Sequence, residues 1–387
     1  MDQPDSTILS TYLQAVPDPR HKRGRSYEWL YLLYLIAAAL AGGATGVAAI
    51  TDWIDLHAVD LLAALHPAKG RIPSHATLRR VLIAVGIDRL EEILAGFQQA
   101  LDADDGTLGQ ITGPDGSIWR GQAADGKTVR GASAHGTPVH LVGLVRHESG
   151  YVLDQVQVAD KTNEITAVPE LLRGHKLAGT VTTMDALLTQ QPLARQIRAQ
   201  GGHYLMVVKD NQPGLWSAIA LLFREPATLV GDTDLLTIEQ HSKGHGRRET
   251  RRLESRVALN GYLDWPDVGQ VLRRTYDSVA PRTGTVRHKV TYGISSLPRQ
   301  HALPEQMAWL WRQHWTIENR VHYVRDDTMG EDRGQSHTGH SAEALAALRN
   351  AIIAAMRYHG RTNIAAALRY YDARPQQALQ LIGAIAT

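Results

Sequence analysis

The chain has 387 residues, 43% of them hydrophobic, with 41 Lys and Arg against 39 Asp and Glu and a formal net charge of +2. Such a length supports a large core or two to three domains, and near neutrality means that any nucleic-acid surface has to lie in local charge clusters. With no cysteine, disulfides and thiolate zinc sites are excluded, which fits a reducing compartment such as the cytoplasm.

Residues 1–105 read as a helical domain that associates with DNA. The polar start, Met-Asp-Gln-Pro-Asp-Ser, does not read as a secretory signal. Ser6 is placed to cap a first helix through Leu13. A basic, turn-rich linker follows at 17–25. Residues 30–50 are nearly uncharged and long enough to span a bilayer, but they are rich in Ala and Gly and interrupted by Gly42 and Gly43. They read as a buried helix, or as two helices meeting at the glycines, and not as a membrane span. A helix at 50–65 and another from its expected cap Ser74 to Val85 form a helix-turn-helix-like pair. There Arg79 and Arg80 would face DNA while Leu78, Val81 and Leu82 pack inward. Gly86 stops that helix, and one more runs over 88–103.

Beyond residue 105 the period changes. Strands are predicted at 117–124, 139–146 and 151–158, a helix at 164–172, a strand at 177–184, a helix at 189–199, a strand at 203–208 and a helix at 213–223. Three strands followed by alternating helices and strands is the order of an RNase H-like central sheet with flanking helices, a mixed α+β and α/β class. Residues 106–231 are thus the first part of a catalytic core. Residues 232–300 form a β-rich insertion, with strands at 234–240, 247–257, 268–276 and 286–294. Residues 301–387 return to the core as helices.

Three carboxylates stand out. Asp125 follows an apolar run and ends the first strand; Asp185 ends the fourth, its neighbour in such a sheet. Glu318 lies in a helix expected over 305–325, where Trp311, His314, Glu318, His322 and Arg325 are spaced by three or four and share one face. On spacing alone that face is a solvated one, with Glu318 paired to Arg325 or His322. The two strand-end aspartates recast Glu318 as a third ligand. Mg²⁺ prefers oxygen ligands, and two such ions, with Mn²⁺ as a substitute, would clamp the attacking and leaving oxygens of a phosphodiester. Lys127 and Arg130 follow Asp125 within reach of phosphate oxygens. A second DNA surface is the hairpin at 241–256, where Lys243, His245, Arg247, Arg248, Arg251 and Arg252 surround a Gly-rich turn. The linker at 20–25 is a further basic candidate. His241 with His245, and His337 with His340, lack the additional ligands of a zinc site, and Trp216, Trp265 and Trp309 read as core or interface residues or as rings that stack on a flipped base.

These stretches together resemble bacterial insertion-sequence transposases of the DDE superfamily, the H-repeat-associated group. The resemblance is carried by Asp-Gly-Lys-Thr-Val-Arg-Gly at 125–131, Asp-Ala-Leu-Leu-Thr-Gln at 185–190, Val-Lys-Asp-Asn-Gln-Pro at 208–213, Lys-Gly-His-Gly-Arg-Arg-Glu-Thr-Arg at 243–251 and Trp-Thr-Ile-Glu-Asn-Arg-Val-His-Tyr at 315–323. Gly-Glu-Asp-Arg at 330–333 and Ala-Ala-Leu-Arg-Asn at 346–350 continue it, and 18–21 and 73–80 resemble the group's associated helical domain. A related signature has Tyr, Arg and Lys where this chain has Trp311, His314 and Arg325, and relatives often have His at Leu188. The resemblance implies a DDE triad of Asp125, Asp185 and Glu318 that cuts and joins DNA. It also implies double-stranded element ends and target DNA as partners, a homodimer on DNA, no membrane, and a place in the cytoplasm beside the nucleoid. The rivals are a domesticated DNA-binding protein that no longer cuts and a nuclease without strand transfer.

Overall fold

Helices α1 (Leu9–Gln14), α2 (Trp29–Ala41), α3 (Val47–Leu56), α4 (Ala58–Leu65), α5 (His75–Ala84) and α6 (Ile87–Asp104) come first. Strands β1 (Gln110–Thr112), β2 (Ile118–Val129), β3 (Val139–Arg146) and β4 (Val152–Val158) follow. Then come α7 (Glu164–Arg173), β5 (Thr180–Met184), α8 (Gln191–Ala199), β6 (His203–Val208) and α9 (Pro213–Arg224). A run of strands, β7 (Leu236–Gly244), β8 (Arg247–Arg256), β9 (Gln270–Ala280) and β10 (Thr285–Ser295), leads to α10 (Pro304–Gln313). Two π-helical segments, Ile317–His322 and Val324–Thr328, precede α11 (Ser341–Tyr358), α12 (Ile364–Asp372) and α13 (Pro375–Leu381). This computed structural model describes residues 7–129, 139–158, 164–224, 234–244, 246–258, 260–334 and 338–386. Ser6, Arg130, His245 and His337 lie outside them.

The chain packs as two compact units. The first, here the sheet unit, comprises Gly109–Asp125 and Glu164–Trp315. Its strands run in the order β2-β5-β6-β10-β9-β8-β7, with β1 on β2. β2, β5 and β6 are parallel, as expected where helices connect consecutive strands. From β6 outward the pairs are antiparallel, so the strands of 236–295 extend the same sheet. One face of that sheet is covered by α10, whose Met307, Leu310 and Trp311 pack on Val181, Leu205, Leu253 and Leu272. Gly293 permits the approach: a Cβ there would lie 2.5 Å from the Trp311 ring. On the other face Phe223 of α9 stacks on Tyr292 with ring centroids 6.1 Å apart.

The second, the helical unit, comprises Met1–Leu108, Gly126–Asn163 and Thr316–Thr387. Here the end of β2 continues beside the β3–β4 hairpin, so the strand expected to stop at Ala124 runs to Val129. Val129 and Leu141 pack against Ala346 of α11. Helix α6 grips β4 through polar contacts: Gln98 accepts from the Val152 amide at 2.9 Å, and Gln99 donates to the Leu153 carbonyl at 2.8 Å. Helix α2 is buried along nearly its whole length and stops at Gly42 and Gly43, the latter with φ +90°. The Trp53 indole of α3 fills the space a side chain at Gly42 would need. The apolar stretch is therefore two packed helices, and among the described residues no helix is long and apolar enough to cross a membrane. The helix expected over 50–65 is broken at His57, which ends α3 and begins α4. Ser74 precedes α5 but gives no side-chain cap; its hydroxyl is instead 3.2 Å from that of Thr77.

Candidate active site

In the sheet unit, β2 and β5 pair in parallel with Ala124 opposite Met184. The next residue on each chain is a carboxylate, Asp125 and Asp185, and both are half-buried. Small and β-branched residues permit this. Ala123, Ala124, Thr182 and Thr183 are fully buried between the covering layers, and the polar ones bond across the pair. Gln122 Nε2 donates to Thr182 Oγ1 at 3.0 Å, and Thr183 Oγ1 donates to the Gln122 carbonyl at 3.2 Å. Thr183 also lies 3.1 Å from His314 Nδ1, so His314 is fixed on the α10 side of the sheet.

The turn after β5 orients Asp185. Its Oδ1 accepts from the Leu187 and Leu188 amides at 2.9 and 3.2 Å. Such bonds from neutral donors hold a carboxylate in place without cancelling its charge. The turn is braced from behind. The Thr189 hydroxyl lies 3.0 Å from the Asp185 carbonyl and 2.6 Å from that of Val207. Asn211 donates to the Ala186 carbonyl at 2.6 Å and Gln212 to the Thr189 carbonyl at 2.9 Å. The Asp-Ala-Leu-Leu-Thr-Gln and Asn-Gln-Pro stretches are thus one structural device. Sequence spacing did not reveal Thr189, Asn211 and Gln212 as supports, because their bonds go to backbone carbonyls. Leu188, where relatives often carry His, is fully buried. Among the described residues the second oxygen of Asp185 accepts no hydrogen bond, and two neighbouring oxygen donors suit a hard divalent cation.

Glu318 belongs to the helical unit, on the π-helical segment Ile317–His322. It is exposed, and His322 Nδ1 lies 3.6 Å from its Oε2. Burial pushes the His322 imidazole below its ordinary pKa, and Arg325 and Lys127 add to this against the pull of Glu318. The α-helix expected over 305–325 gives way to π-helical segments at Ile317–His322 and Val324–Thr328, in which Glu318 and His322 still lie side by side. The α-helical spacing ends with α10, and π turns follow, with one more residue in each hydrogen-bonded turn. Trp311 is 3% exposed in the sheet-unit core, with the Arg274 guanidinium 4.8 Å from its ring centroid.

Lys127, expected to reach phosphate oxygens, and Arg325, expected beside Glu318, are both buried in an ion-pair cluster around Glu331. Arg325 donates to both oxygens of Glu331, at 2.9 and 2.8 Å. Arg349 joins Glu331 at 3.3 Å and donates to the Thr45 carbonyl at 2.6 Å. Lys127 lies 3.2 Å from Glu331 and pairs with Asp326. Burial alone would raise the Glu331 carboxyl, but Arg325, Arg349 and Lys127 outweigh it and hold it at about 2. Burial raises the Asp326 carboxyl, and the Lys127 ammonium opposes that rise. These cations are absorbed because a buried charge without a partner is costly.

The expected DNA contacts fall in two places. Arg79 and Arg80 are exposed on α5, opposite the buried Leu78, Val81 and Leu82. Arg79 donates to Thr338 at 3.0 Å and Arg80 to the Ala76 carbonyl at 3.0 Å. The basic hairpin is β7–β8, with Lys243 opposite Arg248 and Gly244 opposite Arg247. Arg251 pairs with Glu249, and Arg252 donates to Glu239 at 2.7 Å. Among the described residues Lys243, Arg247 and Arg248 make no ion pair.

Residues 105–356 match the family described as the transposase DDE domain, and residues 10–98 match the DDE-associated domain. An H repeat-associated transposase of Escherichia coli K12 is 27% identical over 351 residues, 89% of this chain and 89% of its own length. A second protein of that name and strain is 29% identical over 63% of this chain and 91% of its own. The cryo-EM structure of a piggyBac transposase synaptic complex with hairpin DNA aligns with a TM-score of 0.46 and 10% identity, covering 98% of this chain and 79% of that one.

Proposed function

Because this chain belongs to the transposase family defined by the DDE domain, we propose that it is a divalent-metal-dependent transposase whose ligands are Asp125, Asp185 and Glu318. It binds the terminal inverted repeats of an insertion sequence, hydrolyses the phosphodiester at each end, and joins the freed 3′-hydroxyl to target DNA. Two ends must be held together, so the working form is a homodimer on DNA. The observation that most supports this is the β2–β5 register, which makes Asp125 and Asp185 the next residues after a matched pair.

Two Mg²⁺ ions, or Mn²⁺ in their place, would supply charge stabilisation at the attacking and leaving oxygens of an in-line displacement. The protein's part is positioning. The amides of Leu187 and Leu188 hold one oxygen of Asp185, leaving the other for a ligand. Thr183 fixes His314 beside the same strand end. His322 sits against Glu318 and restricts its rotation.

The test is incubation with Mg²⁺ and DNA carrying the element ends. The wild type should nick at the ends and give joined product. Asp125→Asn should bind the same DNA and cut none of it. Binding without nicking by the wild type would indicate a retired binder, nicking without joining a nuclease, and full cutting by Asp125→Asn would remove that residue from the site.

A further inference from the structure

The outer part of the sheet unit carries an uneven charge. Strands β7 to β10 pair without a register slip, so alternate residues fall strictly on opposite faces. The face covered by α10 carries Arg247, Arg251, Arg274, Arg287 and Lys289. Its carboxylate is Glu249, bound by Arg251 and by the Tyr276 hydroxyl at 2.8 Å. The opposite face carries Lys243, Arg248, Arg252, Arg256 and Arg273, but there Arg252 meets Glu239 at 2.7 Å, Arg256 lies 4.0 Å from Asp234, Arg273 meets Glu254 at 2.6 Å and His288 meets Asp277 at 2.6 Å. Among the described residues Arg274, Arg287 and Lys289 form no ion pair. Arg287 and Lys289 are exposed, and Arg274 lies against the Trp311 ring.

The cation-rich face is also the face of the carboxylates. Val207 is opposite Gly293, and Thr183 is opposite Leu205. Thr183, Leu205, Val207 and Gly293 therefore point to the α10 side, as do Trp311 and His314. Ala123, opposite Thr183, shares that side, and Asp125 is two residues further along the same strand. Strand β10 is antiparallel to β6, so going back from Tyr292 to Thr285 carries it past the end of β6, on the side where Asp185 leaves β5.

We propose that Arg274, Lys289 and Arg287, with Arg247, form a phosphate-backbone track for duplex DNA leading along the α10 face of the sheet to the aspartate end. The track rests on the transposase reading and adds a surface to it. It also divides the basic hairpin: Arg247 faces the track, whereas Lys243, Arg248 and Arg252 face away.

Two double variants on one strand test it with equal charge change. Arg287→Gln with Lys289→Gln removes two charges from the track. Val286→Glu with Val290→Glu adds two negative charges to the opposite face, where both valines are exposed. Binding to an end-containing duplex is measured across salt concentrations, with thermal melting as a check on folding. The first variant should bind about tenfold more weakly, with the salt slope reduced by about 2, and the second should keep the wild-type slope. A wild-type slope in the first variant, or equal weakening in both, overturns the track. A wild type that binds no duplex overturns the transposase reading beneath it.

Discussion

Asp185 and Glu331 are carboxylates that the fold treats in opposite ways. Asp185 is half-buried, held by two backbone amides, and among the described residues forms no ion pair. Glu331 is 3% exposed and surrounded by Arg325, Arg349 and Lys127. Neutral donors aim a charge and leave it available, whereas a ring of cations consumes it. The first arrangement suits a ligand for metal. The second is a structural knot, tying the end of β2 and α11 to the π-helical segment within the helical unit.

Replacing the centre of the knot should have the largest effect on stability. Glu331→Gln leaves three buried cations short of a counter-charge, and a loss of about 3–5 kcal/mol is expected in denaturant unfolding. A loss below about 1 kcal/mol would show that the knot contributes little. The pH dependence has a definite sign. The folded Glu331 is held at about 2 against an ordinary 4.5, so its stabilisation is complete above 4.5 and is lost as pH falls through about 2. Acid unfolding of Glu331→Gln should lack that component.

The Asp185 turn is a smaller test with a sharper internal control. Asp185→Ala removes the acceptor for two amides and should cost about 1–3 kcal/mol. Asp185→Asn keeps a carbonyl oxygen in the same place and should unfold near wild type. Neither should cut DNA. A stable, active Asp185→Asn would make the turn architectural and nothing more. The smallest effect separates Lys127 from the DNA surface: Lys127→Met should leave the salt slope of duplex binding unchanged, and a slope lower by about 1 would return Lys127 to the phosphate contacts.

Much of this was legible from the sequence because it depends on period and punctuation. The break at Gly42 and Gly43, the inward Leu78, Val81 and Leu82, and the strand ending just before Asp185 follow from local pattern, whereas the strand through Asp125 runs on to Val129. What was not legible depends on partners distant in sequence. Lys127 looks like a surface cation until Asp326 and Glu331 fold against it. Arg325 falls on the Glu318 face only if the helix keeps α spacing, and the π turns of 317–328 are not announced by any residue type. The hairpin cations form one cluster in sequence, but the two-residue strand period and the neighbouring carboxylates separate them by face. Nothing in their own segments marks Arg274, Arg287 and Lys289 as cations that form no ion pair among the described residues.

The central claim is that Asp125, Asp185 and Glu318 together hold divalent cations, and direct titration with Mn²⁺, followed by electron paramagnetic resonance, tests it without DNA or turnover. The wild type should take up two ions, and Asp125→Asn, Asp185→Asn and Glu318→Gln should each lower the occupancy or weaken it at least about tenfold. Wild-type Mn²⁺ binding in any one of the three folded variants would contradict the assignment of that residue, and in all three it would contradict the site.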